Sequence, residues 1–273
     1  MISLPLLRRL ERVLPQTVLT AFVVLFFVFL LAPIVFVVLV SFSDAAFVQF
    51  PVQSYSLRWY YRLLEYTPFL TSLLFSLKLA VLAALAAALL GVPAALVLAR
   101  SGTATADAVS TFLLSPISIP MILLGVALLF NLSSLGLGIS FTSLLIGHTV
   151  VSLPYVVRTV VAVYRGIGRE YEEGAAILGA SRWQIFRYIT LPLISSGIFS
   201  GMLFSILISL DNLSLSLFFT SAQTNTLPVV MLSYLQNQFD PAIAAIGTVQ
   251  MLIAFLALLL IDRTVGLKHM SST

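Results

Sequence analysis

The chain contains no cysteine and only two histidines, His148 and His269. Disulfides, iron–sulfur clusters and thiolate zinc sites are therefore excluded, and two distant histidines do not suggest a His-based metal centre. Charge is scarce too. Asp, Glu, Lys and Arg make up 9% of the 273 residues, against 60% hydrophobic, where a soluble domain carries about a quarter charged. Such a chain cannot cover a water-facing surface, so lipid must be part of its solvent, and disordered, collagen-like and ordinary cytosolic readings fall away. The net charge of +4 is too small to imply a nucleic-acid partner. Neither lysine, Lys78 nor Lys268, follows a glycine, so there is no G-x-x-x-x-G-K-[ST] phosphate loop; H-E-x-x-H and G-x-S-x-G are missing as well. No catalytic residue, metal site or bound cofactor is expected. If ATP drives this protein, another chain hydrolyses it.

What is present is a series of long charge-free intervals. They run from Arg12 to Asp44, Lys78 to Arg100, Asp107 to Arg158, Arg187 to Asp211, Asp211 to Asp240 and Asp240 to Asp262. A spanning helix needs about 20 apolar residues to cross roughly 30 Å of hydrocarbon. The third interval is long enough for two crossings and is cut at Asn131 and the turn-rich run from Ser133 to Gly138. Six helices are expected, at 18–42, 69–99, 108–132, 141–165, 197–220 and 243–262, with a polar loop at 221–240. The chain then divides into a tail at 1–17, a six-helix transmembrane domain at 18–262 and a tail at 263–273. The first apolar run is longer than a signal core of 7–15 residues and has no A-x-A-like site after it, so it reads as an uncleaved anchor.

Basic residues orient the chain. With both termini inside, Arg8, Arg9, Arg12, Arg100, Arg165, Arg169, Arg182, Arg187, Arg263 and Lys268 are all cytoplasmic, and the outer loops hold only Arg58 and Arg62. Trp59, Tyr60 and Tyr61 then fall near the outer interface, where an aromatic belt would sit. Lys78 and Arg158 read as snorkelling residues near the interfaces, and His148 as a hydrogen-bonded packing residue.

Asp211 stands apart. It falls about fourteen residues, or roughly 21 Å, into the expected fifth helix. A carboxylate at the bilayer centre costs at least about 2.5–3.5 kcal/mol, so it should face a cavity or a partner. It reads as part of a solute path or gate, or else as a structural hydrogen-bonding group. Gly197, Gly201, Ser205, Ser209, Asn212 and Ser216 share one face of that helix. Close packing suits Gly197 and Gly201, and path lining suits Ser209, Asn212 and Ser216. Pro93, Pro116, Pro120 and Pro154 interrupt spans, which is tolerated at membrane depth where backbone is buried or lines a cavity.

The segment 166–196 is the longest cytoplasmic loop. Acids at Glu170, Glu172 and Glu173 precede Ala175, Ala176, Ile177 and Leu178, and Gly179 follows. This describes a short helix with its acids at the positive end of the dipole and a glycine stop. A second amphipathic stretch carries Trp183, Phe186 and Ile189 and is expected to end at Pro192. Two short helices joined at a glycine make a shaped knob on the cytoplasmic surface; the plainer reading is an interfacial helix lying on lipid.

Here the chain resembles a permease subunit of binding-protein-dependent ABC importers, whose mark is E-A-A, three residues, G, nine residues, I-x-L-P. Glu173, Gly179, Ile189, Leu191 and Pro192 stand at that spacing, and Gly174 replaces the usual first alanine. The resemblance implies an all-α membrane protein of type I importer fold, with six transmembrane helices, cytoplasmic termini and a cytoplasmic coupling helix, in a bacterial inner membrane. It also implies a coupling set of Glu172, Glu173, Gly174, Ala175, Leu178, Gly179, Ala180 and Ser181, docked on a cytoplasmic ATPase dimer that holds ATP and Mg. A second permease subunit, identical or related, and a periplasmic solute-binding protein complete the expected assembly. ATP-driven closure of the paired ATPases would turn the permeases from inward-facing to outward-facing. The run Ser209-Leu210-Asp211-Asn212-Leu213-Ser214, with Phe218-Phe219-Thr220 and Thr226-Leu227-Pro228, resembles the second permease of spermidine/putrescine importers. In those an acidic pair is frequent where Asp211-Asn212 stands here. That group also includes importers of aminophosphonates, opines and other small polar solutes, so the implied cargo is polyamine-like or one of these.

Overall fold

A computed structural model of the chain describes residues 4–221 and 224–261, all of it helix and connecting loop apart from one isolated bridge between Ser43 and Tyr55. The helices are α1 (Leu4–Ser41), α2 (Arg58–Glu65), α3 (Thr67–Arg100), α4 (Ala104–Leu114), α5 (Met121–Ser134) and α6 (Phe141–Arg165). They continue with α7 (Glu170–Ile177), α8 (Arg182–Ile185), α9 (Leu191–Leu210), α10 (Leu213–Ser216), α11 (Leu227–Asn237) and α12 (Ala242–Ile261). Five stretches are long and apolar enough to cross a membrane: Val18–Ser41, Thr67–Arg100, Phe141–Arg165, Arg182–Leu210 and Ala242–Leu259. Counting the bent pair Ala104–Ile117 and Met121–Ser134 as one broken span brings the total to six.

Four expectations need correction. The helix expected at 108–132 is broken, with a 105° bend between its halves. Pro116 lies in a tight 3₁₀ turn at Ser115–Ile117 and Pro120 precedes α5; each lacks a backbone N–H, and the residue before a proline is pushed out of the helical region. The fifth span does not begin at 197. A π-helical turn, Phe186–Thr190, joins α8 to α9, and the Leu191 N–H bonds back to Phe186 O. The wider turn makes room for the ring of Pro192, which therefore does not end the helix. The stretch 221–240 is not simply a loop, because α11 occupies Leu227–Asn237 with Pro228 in its first turn, where a missing N–H costs nothing. Trp59 is not an interface anchor: it is 1% exposed, under the guanidinium groups of Arg58 and Arg62 at 4.6 and 5.4 Å from the ring.

The chain forms two compact units. The smaller joins residues up to Glu65 with Gln238–Met251. There Ser41 Oγ meets Tyr60 Oη at 2.7 Å, and Arg62 approaches Asp240 at 3.8 Å. Asp240 also accepts from Ala242 N at 3.1 Å, closing the start of α12. The apolar side chains of α1 from Val18 onward are largely exposed, as lipid allows.

The larger unit holds Tyr66–Asn237 and the part of α12 from Leu252 on, and its core is the packing of α3, α6 and α9. Ala80, Ala83, Ala84, Ala87, Gly91 and Ala95 form a buried small-residue stripe on α3. On α9, Gly197, Gly201, Ser205 and Ser209 recur every four residues and are buried. A Cβ at Gly201 would lie 2.8 Å from Val156 Cα and 2.5 Å from Thr159 Oγ1, so only glycine lets α9 approach α6 this closely. Lipid offers no hydrophobic drive between helices, and such close packing replaces it. Interhelical hydrogen bonds add to it: Ser205 Oγ donates to Ser152 O at 3.2 Å. The packing role expected of Gly197 and Gly201 is what is found. Lys78 is exposed on α3, 5.5 Å from the Phe141 ring. At 1.5 Å per residue, Lys78 to Arg100 measures about 33 Å, close to the roughly 30 Å thickness of a hydrocarbon core.

Candidate functional site

Two sites lie at the opposite ends of α9. At the cytoplasmic end, α7 and α8 make a hairpin that local sequence specifies closely. Gly179 closes α7 at φ +86°. Its N–H bonds Ala176 O at 3.0 Å and the Ala180 N–H bonds Ala175 O at 3.0 Å, the paired bonds of a Schellman stop. Ser181 then starts α8 with a capping box: Gln184 N donates to Ser181 Oγ at 3.3 Å, and Ser181 N donates to Gln184 Oε1 at 2.8 Å. The hairpin tip is apolar and bare, with Ile177 86% and Leu178 89% exposed and Trp183 and Tyr171 also facing out. An exposed apolar cluster on a polar loop marks a surface for contact with a protein or with lipid.

Of the eight residues expected to couple, Glu173, Gly174, Leu178, Gly179 and Ser181 are exposed; Ala175 and Ala180 are half-buried. Glu172 turns the other way, toward the chain's own helices. Its Oε1 accepts from Tyr164 Oη at 2.7 Å and from Thr190 Oγ1 at 2.6 Å. Its Oε2 lies 3.6 Å from Arg100 Nη2. Arg100 stacks on the Tyr164 ring at 4.0 Å and donates to Ile167 O at 3.1 Å. Sequence reasoning did not find Arg100, Tyr164 and Thr190, because no spacing along the chain joins them to Glu172.

At the outer end the polarity is reversed. Asp211 is the C-cap of α9, one residue beyond its last turn, with ψ 4° and its N–H on Leu207 O. It is not in mid-helix as expected, since Asn212 starts a new helix: its Oδ1 accepts from Leu215 N at 3.1 Å and its carbonyl accepts from Ser216 Oγ at 2.6 Å. Across this break sits His148 of α6, 1% exposed, with Nδ1 2.7 Å from Ser209 Oγ and Nε2 3.2 Å from Ser216 Oγ. The packing role expected of His148 agrees with this arrangement. Ser209, Asn212 and Ser216 are 5%, 8% and 1% exposed, and their polar atoms serve the break itself. Asp211 alone of the four expected path residues is exposed, and its carboxylate takes no hydrogen bond or ion pair from any described residue.

The comparisons agree with this architecture. The family model described as "Binding-protein-dependent transport system inner membrane component" matches residues 89–266. The chain belongs to that family. It is the inner-membrane permease of a binding-protein-dependent ABC importer, a component class without ATPase activity that works with an ATPase and a binding protein. Among its relatives, the spermidine/putrescine permease PotC of Haemophilus influenzae is 30% identical over 249 residues, 91% of this chain and 96% of that one. The putrescine permease PotI of Escherichia coli K12 is 32% identical over 81% of each chain. The molybdenum permease ModB of Mycobacterium tuberculosis is 35% identical over 69% of this chain and 77% of that one. In fold, the permease matches a crystal structure of a bacterial ABC transporter involved in the import of the acidic polysaccharide alginate. The TM-score is 0.73 at 18% identity, over 94% of this chain and 98% of that chain.

Proposed function

We propose that this permease passes a small polar cation of polyamine-like character from a periplasmic binding protein to the cytoplasm. A second permease subunit supplies the other half of the path. A cytoplasmic ATPase dimer, holding ATP and Mg, docks on the α7–α8 hairpin through Glu173, Gly174, Leu178, Gly179, Ala180 and Ser181. The bare apolar tip supports this docking. Glu173 and the hairpin backbone give it polar definition.

The cargo reading rests on one observation, the exposed and unpartnered carboxylate of Asp211 at the C-terminus of α9. A helix C-terminus carries a partial negative charge of about half an electron. That partial charge adds to the carboxylate, the short α10 that starts at Asn212 offsets part of it, and the carboxylate itself makes the spot attract cations and repel anions. The names of PotC and PotI point to the same cargo. A ModB-like anionic cargo would meet like charge at Asp211, and neutral or zwitterionic aminophosphonates, opines or amino-acid derivatives would gain less from it.

Uptake of radiolabelled putrescine, spermidine and molybdate into cells carrying the intact importer tests the reading. Polyamine uptake that falls about tenfold in Asp211→Asn, equivalent to losing about 1.4 kcal/mol, supports it. Molybdate uptake with no polyamine uptake would overturn it.

A further inference from the structure

Glu172 and Glu173 are neighbours on one helix turn, so their side chains diverge by about 100°. Glu173 is exposed on the hairpin, whereas Glu172 is held by groups from three membrane-spanning segments: Arg100 ends α3, Tyr164 lies in the last turn of α6, and Thr190 sits in the π turn that leads into α9. We infer that Glu172 is a positioning residue through which displacement of the hairpin reaches α3, α6 and α9 together. This inference rests on the assignment of the hairpin as the ATPase contact.

The geometry suits transmission. Two hydroxyl donors at 2.6 and 2.7 Å converge on one carboxylate oxygen, the short lengths of charge-assisted bonds. The other oxygen faces Arg100, whose guanidinium is itself fixed by the Tyr164 ring and Ile167 O. Arg169 Nη2 donates to Arg100 O at 3.2 Å, tying the loop between α6 and α7 to the end of α3. One oxygen holds two short hydrogen bonds and the other a looser ion pair at 3.6 Å, so a displaced carboxylate pulls first on Tyr164 and Thr190 and then on Arg100. Those partners belong to the same three helices whose close packing forms the core of the larger unit. A push on the hairpin therefore acts on a packed set, and α7 has no comparable polar tether elsewhere among the described residues.

The test uses the complete importer in proteoliposomes, with solute uptake, ATP hydrolysis and the amount of bound ATPase all measured. Glu172→Ala and Arg100→Ala should each keep the ATPase bound and hydrolysing while solute moved per ATP falls about tenfold, within the usual range for coupling between sites. The double variant should be no worse than either single one, because the pair acts as a unit. Glu172→Gln can keep both hydroxyl partners on its amide oxygen but turns its amide NH2 toward Arg100, losing the ion pair, so it should fall between, and it preserves a folded sample if the alanine variant is not recovered. An unchanged ratio of solute to ATP in these variants would overturn the inference, as would a fall in uptake that merely tracks the yield of assembled complex. Leu178→Asp separates the two readings. If it releases the ATPase while the Glu172 variants keep a normal ratio, the relay fails and the docking site stands. If it leaves the ATPase bound, the docking site and the relay fail together.

Discussion

The two ends of α9 are built on opposite plans. At the cytoplasmic end the carboxylate of Glu172 is turned inward, with two hydrogen bonds and an ion pair, and the apolar Ile177 and Leu178 stand bare. At the outer end the polar Ser209, Asn212 and Ser216 are buried and partnered, and the carboxylate of Asp211 stands bare. The chain backbone follows the same inversion. Inside, a π turn carries the helix unbroken through Pro192; outside, with no proline present, the helix breaks at Asp211 because Asn212 caps a new one. Bare apolar surface in water is what a protein partner covers, and a bare charge at a helix end is what a charged solute meets. Under the proposed function the labour divides accordingly, with ATPase docking at one end of α9 and solute recognition at the other.

The strongest way to break this division is Gly179→Asp. Only glycine holds φ +86° cheaply, other residues losing about 1–2 kcal/mol there, and the new charge would sit on the apolar tip. The variant should insert normally and lose coupled transport by more than about tenfold; normal solute uptake per ATP would remove the hairpin from the account. Next comes Asp211→Asn, which sharpens the outer half. Its loss should appear in polyamine uptake and not in ATPase binding, and unchanged uptake kinetics would make Asp211 structural. Gly201→Val probes the helix that carries both ends. Overpacking against Val156 and Thr159 should cost about 1–3 kcal/mol, read as a lower melting temperature in detergent, with the purified complex otherwise intact. The smallest effect belongs to His148→Phe. Ser216 keeps Asn212 O as a partner and only Ser209 loses its own, so the cost should be close to the roughly 0.6–1.7 kcal/mol of a membrane hydrogen bond. A melting shift larger than that of Gly201→Val would show that the break, not the packed ridge, holds the outer end together.

Much of the fold was legible because lipid punishes charge. The intervals between Arg and Asp residues located the spans, and α6 ends within a residue of its expected limits at Phe141 and Arg165. The hairpin was legible because acids, a glycine and a capping serine act locally. The break after Leu210 was hidden, since one apolar window does not distinguish a long helix from two short ones. Asn212 followed by Ser216 was its one visible signal, a cap residue with a hydroxyl four positions on. Likewise Pro228 after Thr226 marked the start of α11, although the polarity of the segment suggested a loop. The inward turn of Glu172 left no trace in sequence, because its partners lie 8, 18 and 72 positions away.

The most direct measurement exploits the missing cysteines. Leu178→Cys gives the chain a single thiol, at the bare tip of the hairpin. Labelled with a photoactivatable maleimide in native membranes and illuminated, it should yield one adduct carrying an ABC ATPase polypeptide, identified by mass spectrometry and lost in the Gly179→Asp background. An adduct with lipid alone would place the hairpin on the membrane surface and contradict the division between the two ends of α9.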